Sequence, residues 1–174
     1  MHTICTGHAR DLPQDLQSQV SGSDPSWQAG AGMMCGGCIC GAVRFEAEPR
    51  AREAHACHCE TCRRWAGTGF VGVSVLPEDI RFEGAESIRT YASSSWAERA
   101  WCDRCGTTLY CHLTADGFGA KTYEMALGTF DDPDGFPLTS EIYIDRKPDG
   151  FAFAGEHRRL TKAEFEAMVG GAAT

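Results

Sequence analysis

Residues 35–41 read CGGCICG and residues 101–106 read WCDRCG. Cys38 and Cys40 form a C-x-C pair, Cys102 and Cys105 a C-x-x-C pair. Two such arms from distant parts of a chain supply the four thiolates of a closed tetrahedral zinc, and an ion so held fastens together β-hairpins that are weakly joined on their own. Gly36, Gly37, Gly41 and Gly106 flank the ligands, where a backbone turning tightly around an ion strains other residues. A second arm is open at this point: Cys35 and Cys38 are also C-x-x-C, a pairing that leaves Cys40 out.

A third group stands between these arms. In HACHCETCRRWAG, residues 55–67, Cys57, Cys59 and Cys62 occupy six positions. Three protein ligands with an exchangeable fourth is the arrangement of a reactive zinc, so chemistry is expected here and structure at the four-cysteine set. A fourth protein ligand, from His58, His55 or a leftover cysteine, would close the site instead. His58 is poorly placed for that, because ligation by Cys57 and Cys59 turns both side chains to the metal and an extended residue between them faces away. It reads as a surface group or a support behind the ligands. Cys5 and Cys111 fit no ligand position and read as free thiols.

The composition fits this metal reading. At 174 residues with 43% apolar content, the chain buries a real core without covalent staples, so its ten cysteines call for another role. The N-terminal stretch MHTICTGHARDLPQDLQSQ lacks the apolar run of a signal peptide or membrane span. We therefore expect a reducing, cytoplasmic setting in which clustered cysteines bind metal. A net charge of −8 is a poor match for nucleic acid or an anionic membrane.

Composition changes near Met33. Residues 1–32 are rich in Gly, Ser, Gln, Asp and Pro without sustained periodicity and read as a disordered extension; residues 33–170 form the patterned domain. AVRFEAE, residues 42–48, alternates as a half-buried strand does. FVGVSVL, IRFEG, SIRTYAS, TLYCHL, TYEMALGTF, EIYID and FAFAG are β-rich and separated by turn clusters, which predicts several small antiparallel sheets. One helix is signalled at the C-terminus, with Thr161 and Glu164 as a capping box, Leu160 and Phe165 as a staple and Gly170 as a stop.

Taken in order and spacing, CGGCICGAVRFEAE, CHCETCRRWAG, SSSWAERAWCDRCGTTLY and LGTFDDPDG resemble the glutathione-dependent formaldehyde-activating enzyme family, which is related to the centromere protein V domain. The resemblance spans about residues 34–167. It implies a mostly β fold of small coiled sheets organised around two zinc ions per chain. Cys38, Cys40, Cys102 and Cys105 would hold the structural ion, and the resemblance decides for Cys38 with Cys40 over Cys35 with Cys38. Cys57, Cys59 and Cys62 would hold the catalytic one. The implied activity is that of a carbon–sulfur lyase joining glutathione and formaldehyde to give S-hydroxymethylglutathione.

Zinc among three thiolates suits a fourth, soft sulfur, and a substrate thiol bound there would be deprotonated and oriented toward an aldehyde. Arg63 and Arg64 are candidates for glutathione's carboxylates or for offsetting the charge of the metal site, and Arg99 admits the same two readings. Asp131 and Asp132 read as turn residues, and Trp65, Trp96 and Trp101 as pocket lining or core. A different class of function is a non-catalytic zinc scaffold of the same fold that binds a partner protein. The acidic balance, with one arginine against three aspartates in residues 1–32, favours the enzyme.

Overall fold

The computed structural model describes residues 32–114 and 121–169. The extension read over residues 1–32 thus lies, but for Gly32, outside the described residues, as does the helix stop at Gly170. Ten strands form one branched, open sheet: β1 (Met34–Gly37), β2 (Arg44–Pro49), β3 (Ala54–Cys57), β4 (Phe70–Glu83), β5 (Ile88–Ala92), β6 (Ala97–Cys102), β7 (Thr108–Leu113), β8 (Tyr123–Ala126), β9 (Leu138–Ile142) and β10 (Arg158–Leu160). Two short helices complete it, α1 (Glu60–Ala66) and α2 (Lys162–Met168).

The 14-residue strand β4 is the hub. Its first half lies between β3 and β8, while its second half pairs with β2, which carries β1. The shift of register between Ala47 and Pro49 lets the two partners share one strand. Beyond β8 the order runs β7, β6, β5 as antiparallel neighbours; on the other side β9 joins β3 in parallel, and β10 joins β9 in parallel. The mostly β expectation therefore holds, with these two parallel pairings inside a network that is otherwise antiparallel.

The alternation read in AVRFEAE is real. Val43, Phe45 and Ala47 are fully buried and meet Val73, Val75, Leu109 and Met125 in the main core. Phe45 stands edge-on to Phe130 at 5.2 Å between centroids, the geometry aromatic quadrupoles favour. A smaller apolar cluster gathers Cys62, Phe70, Ala97 and Cys111, with Trp65 and Trp96 packed against it. Strand β6 serves both: Ala97 and Arg99 are buried on the side of the smaller cluster, Ala100 and Cys102 in the main core, with a register irregularity after Ala100.

The C-terminal helix forms as its signals require. The Thr161 hydroxyl accepts the Glu164 N–H and the Glu164 carboxylate accepts the Thr161 N–H, a complete capping box. FAFAG, by contrast, is not a strand. Phe151 and Phe153 place their rings about 6.1 and 6.0 Å from the His58 ring, so the apolar pair covers a buried histidine rather than a sheet face.

Candidate metal centres

Cys38, Cys40, Cys102 and Cys105 converge with all four sulfurs within 4.8 Å of one another. Zn–S bonds of about 2.3 Å place tetrahedral sulfurs about 3.8 Å apart. The Cys38–Cys40 and Cys40–Cys102 separations are 3.5 and 3.8 Å, so the donor set fits such an ion. Two turns, each with a glycine, build it. The Gly41 N–H bonds to the Cys38 carbonyl and the Gly106 N–H to the Cys102 carbonyl, with Gly41 at φ 74° and Gly106 at φ 73°, a region that favours glycine. Gly36 and Gly37 are strand residues instead, and a side chain at either would collide with its neighbours. The Val43 N–H points at the Cys38 sulfur at 3.3 Å, and contacts from the Thr107 hydroxyl and backbone draw the Cys105 thiol down to about 6. Cys35 takes no part in the cluster.

Cys57, Cys59 and Cys62 form the second cluster, again within 4.8 Å. Cys57 ends β3, Cys59 caps α1 and Cys62 stands in its first turn, where its N–H donates to the Cys59 sulfur at 3.4 Å. That cap was the missed signal for α1. A cysteine is not among the usual capping residues, and the other cues, Glu60 in the first turn, Arg63 and Arg64 in the last and Gly67 at φ 79°, mark a helix of only seven residues. Donation from Cys57 and Cys62 draws the Cys59 thiol down to about 2. Cys62 is pushed up to about 12: its contact with Cys57 acts the other way, but Cys59 and burial outweigh it. Three sulfurs this close share one negative charge readily; ionising all of them requires a multivalent cation.

Only this second cluster opens on the large cleft. The cavity, about 760 Å³, has Cys57, Cys59 and Cys62 in its wall, whereas none of Cys38, Cys40, Cys102 and Cys105 lines it. Phe70, Trp96 and Leu113 supply an apolar side; Arg63, Arg146, Arg158 and Lys162 supply a basic one. Arg63 donates from Nε to the His58 carbonyl at 3.0 Å. Arg64 is exposed, pairs with Glu60 one helical turn away, and is absent from the cleft lining. Trp96 lines the cleft, Trp65 packs against the smaller cluster, and Trp101 does neither. Asp131 is a structural residue, ion-paired with Arg44, and Asp132 accepts the Asp134 N–H within the turn.

His58 faces away from the sulfurs' cluster, as extended geometry demands, but it is fully buried rather than at the surface. Its Nε2 meets Glu141 Oε2 at 2.7 Å, and Glu141 also accepts from His157 Nε2 and, at 3.1 Å, from Arg159 Nε. This network ties the Cys57–Cys59 link to β9, reinforced by the His58 N–H to the Ile142 carbonyl. A second carboxylate, the half-buried Glu124 in the cleft lining, holds His55 at 2.7 Å and accepts from Ser74 and Thr122. Neither histidine belongs to a cysteine cluster. Their acidic partners lie 69 and 83 residues away in sequence, and no local spacing announces them.

The profile of the family described as glutathione-dependent formaldehyde-activating enzyme matches residues 33–146. An uncharacterized lyase of Schizosaccharomyces pombe is 35% identical over 129 residues, covering 74% of this chain and 91% of its own length. A putative glutathione-dependent formaldehyde-activating enzyme of Halomonas elongata is 32% identical over 83 residues, covering 43% of this chain and 53% of its own. With both cysteine sets inside the matched span, the chain belongs to the glutathione-dependent formaldehyde-activating enzyme family.

Proposed function

We propose that the chain is a zinc-dependent carbon–sulfur lyase that joins a thiol, glutathione, to an aldehyde, formaldehyde, giving an S-hydroxymethyl adduct. The observation that carries this reading is the division of labour between the clusters: four cysteines closed off from the cleft, three cysteines set in its wall. The proposal includes two zinc ions per chain, a structural one on Cys38, Cys40, Cys102 and Cys105 and a catalytic one on Cys57, Cys59 and Cys62, and the two clusters support it. Bound to three thiolates, zinc would supply an open position for a fourth, soft sulfur and hold it deprotonated.

The chain's own residues account for the rest. The basic wall suits a thiol that carries carboxylates at a distance from its sulfur. Arg63 would meet one from the cleft and Arg64 from the adjoining helix surface, with Arg146, Arg158 and Lys162 also in the cleft lining. Phe70, Trp96 and Leu113 keep water from the reacting end. In balance, the S–H proton leaves the thiol, the sulfur pair forms the new C–S bond, the carbonyl π pair moves to oxygen, and oxygen takes up a proton. No oxidant or reductant is involved. A reducing cytoplasm, which keeps thiol ligands available, is the setting we propose. No helix among the described residues is long and apolar enough to cross a membrane.

Because the uncatalysed addition proceeds in solution, the test is exchange NMR between free glutathione and its hydroxymethyl adduct, with and without zinc-loaded protein. Acceleration that disappears in Cys59→Ala supports the proposal. No acceleration with this pair or with a panel of other thiols and aldehydes refutes it and leaves the scaffold reading.

A further inference from the structure

Arg99 is 5% exposed, on β6, opposite Cys111 of β7. Its guanidinium lies 5.1 Å from the centre of the Trp65 ring and forms part of the cleft lining beside the three cysteines. Burying a guanidinium is expensive unless it is paired and hydrogen-bonded. No acidic residue among those described forms an ion pair with Arg99, and its Nε, fully shielded from solvent, has no hydrogen-bond partner. One donor of this buried cation, in the wall of the cleft that also holds the three cysteines, is therefore left without an acceptor.

The other cations of the cleft have a different character. Arg146 and Lys162 have side chains 58% and 47% exposed and already touch Asp145 and Glu166. Such rim groups suit carboxylates at the far end of a long thiol. Arg99, packed on Trp65 and opposite Cys111, lines the cleft together with the three cysteines, where the group that acquires negative charge is the aldehyde oxygen. We propose that Arg99 is a catalytic residue that binds the aldehyde oxygen and stabilises the alkoxide formed as the thiolate adds to the carbonyl carbon. The inference rests on the thiol–aldehyde reading for the identity of the reaction. In the step, the sulfur lone pair makes the C–S bond, the C=O π pair settles on oxygen facing the guanidinium, and the proton released by the thiol ends on that oxygen. Arg99 stays protonated throughout and changes only the energy of the charge that develops.

Two variants and two readouts test this on the metal-loaded protein. Arg99→Met keeps the bulk against Trp65 and removes the charge; Arg99→Lys keeps the charge and removes the planar fork. Both should lower kcat, Arg99→Met by roughly 100- to 1000-fold, with the KM for the thiol within about twofold of the parent on the same argument. A raised thiol KM with kcat preserved would overturn the proposal by making Arg99 a thiol-binding group. The second readout needs no turnover. Formate, a planar oxygen anion of formaldehyde's size, should perturb the cobalt spectrum of the three-cysteine site in the parent, and its affinity should fall roughly 10-fold or more in Arg99→Met. Equal formate affinity in parent and Arg99→Met overturns the oxygen-binding role. A parent inactive with every thiol and aldehyde refutes the lyase reading instead, while Arg99-dependent formate binding upholds the assignment of Arg99.

Discussion

Glu141→Gln removes one charge and no volume, so its consequences can be worked from the contacts. The carboxylate is 1% exposed and receives three donors: His58 on Oε2, His157 and Arg159 on Oε1. Burial works against its charge, yet the bonds from His157, His58 and Arg159 hold it below the usual glutamate range. A glutamine has one acceptor oxygen. Turned toward His157 and Arg159, it presents an NH2 to His58 Nε2, and the histidine must either face donor to donor or shift its proton to Nδ1. That atom is buried without a partner, so the shift exchanges one unmet group for another. Losing a charge-assisted bond and stranding a buried polar atom costs about 3 kcal/mol, at roughly 1.5 for each, the lower end for a charged bond. At about 2–4 °C per kcal/mol for a domain of this size, Tm should fall by roughly 6–12 °C. Because His58 lies between Cys57 and Cys59, the second metal site should also weaken, by roughly 10- to 100-fold, while the four-cysteine site is unchanged. Differential scanning calorimetry and competitive metal titration measure both. A loss below about 1 kcal/mol, or equal weakening at both sites, would refute the claim that this network positions the cysteine link.

Other outcomes follow from the same geometry. Elemental analysis of protein purified without chelator should give two zinc ions per chain; iron with acid-labile sulfide would reject the assignment. Cys105→Ala should be largely misfolded by circular dichroism, since a structural zinc contributes on the order of 10 kcal/mol to small metal-dependent folds, whereas Cys59→Ala should stay folded and lose its second metal. Gly36→Ala should destabilise by about 3 kcal/mol in urea titration, because its Cβ would stand 2.2 Å from the Phe45 ring and 2.3 Å from the Thr129 carbonyl. Arg63→Ala should raise the KM for glutathione more than Arg64→Ala does, since Arg64 is 79% exposed and already held by Glu60.

What was legible in the sequence was what short spacings encode. C-x-C, C-x-C-x-x-C and C-x-x-C can be read directly because each brings its thiols together within a few residues, and the capping box of α2 works within four residues. The alternation of β2 was equally plain, one face being buried in the main core. Strands β1 and β3, at four residues each, are too short to show a period, and their register comes from β2, β4 and β9. The site behind the ligands was illegible for a related reason. Glu124, Glu141 and Arg99 reach His55, His58 and the cysteines only through sheet pairing across tens of residues. Arg99 stands out in the sequence by its charge, but that it is buried with no acid partner among the described residues is a property of packing alone.

The most direct test of the central claim is zinc X-ray absorption on the fully loaded protein, with and without glutathione. Four cysteines around one ion and three around the other give an average of about 3.5 sulfurs per zinc at rest, rising to about 4 when the substrate sulfur joins the open site. An average of 4 without thiol would mean that the second site is closed, and an average of 3.5 unchanged by saturating glutathione would mean that the sulfur does not bind there. Either result contradicts the account.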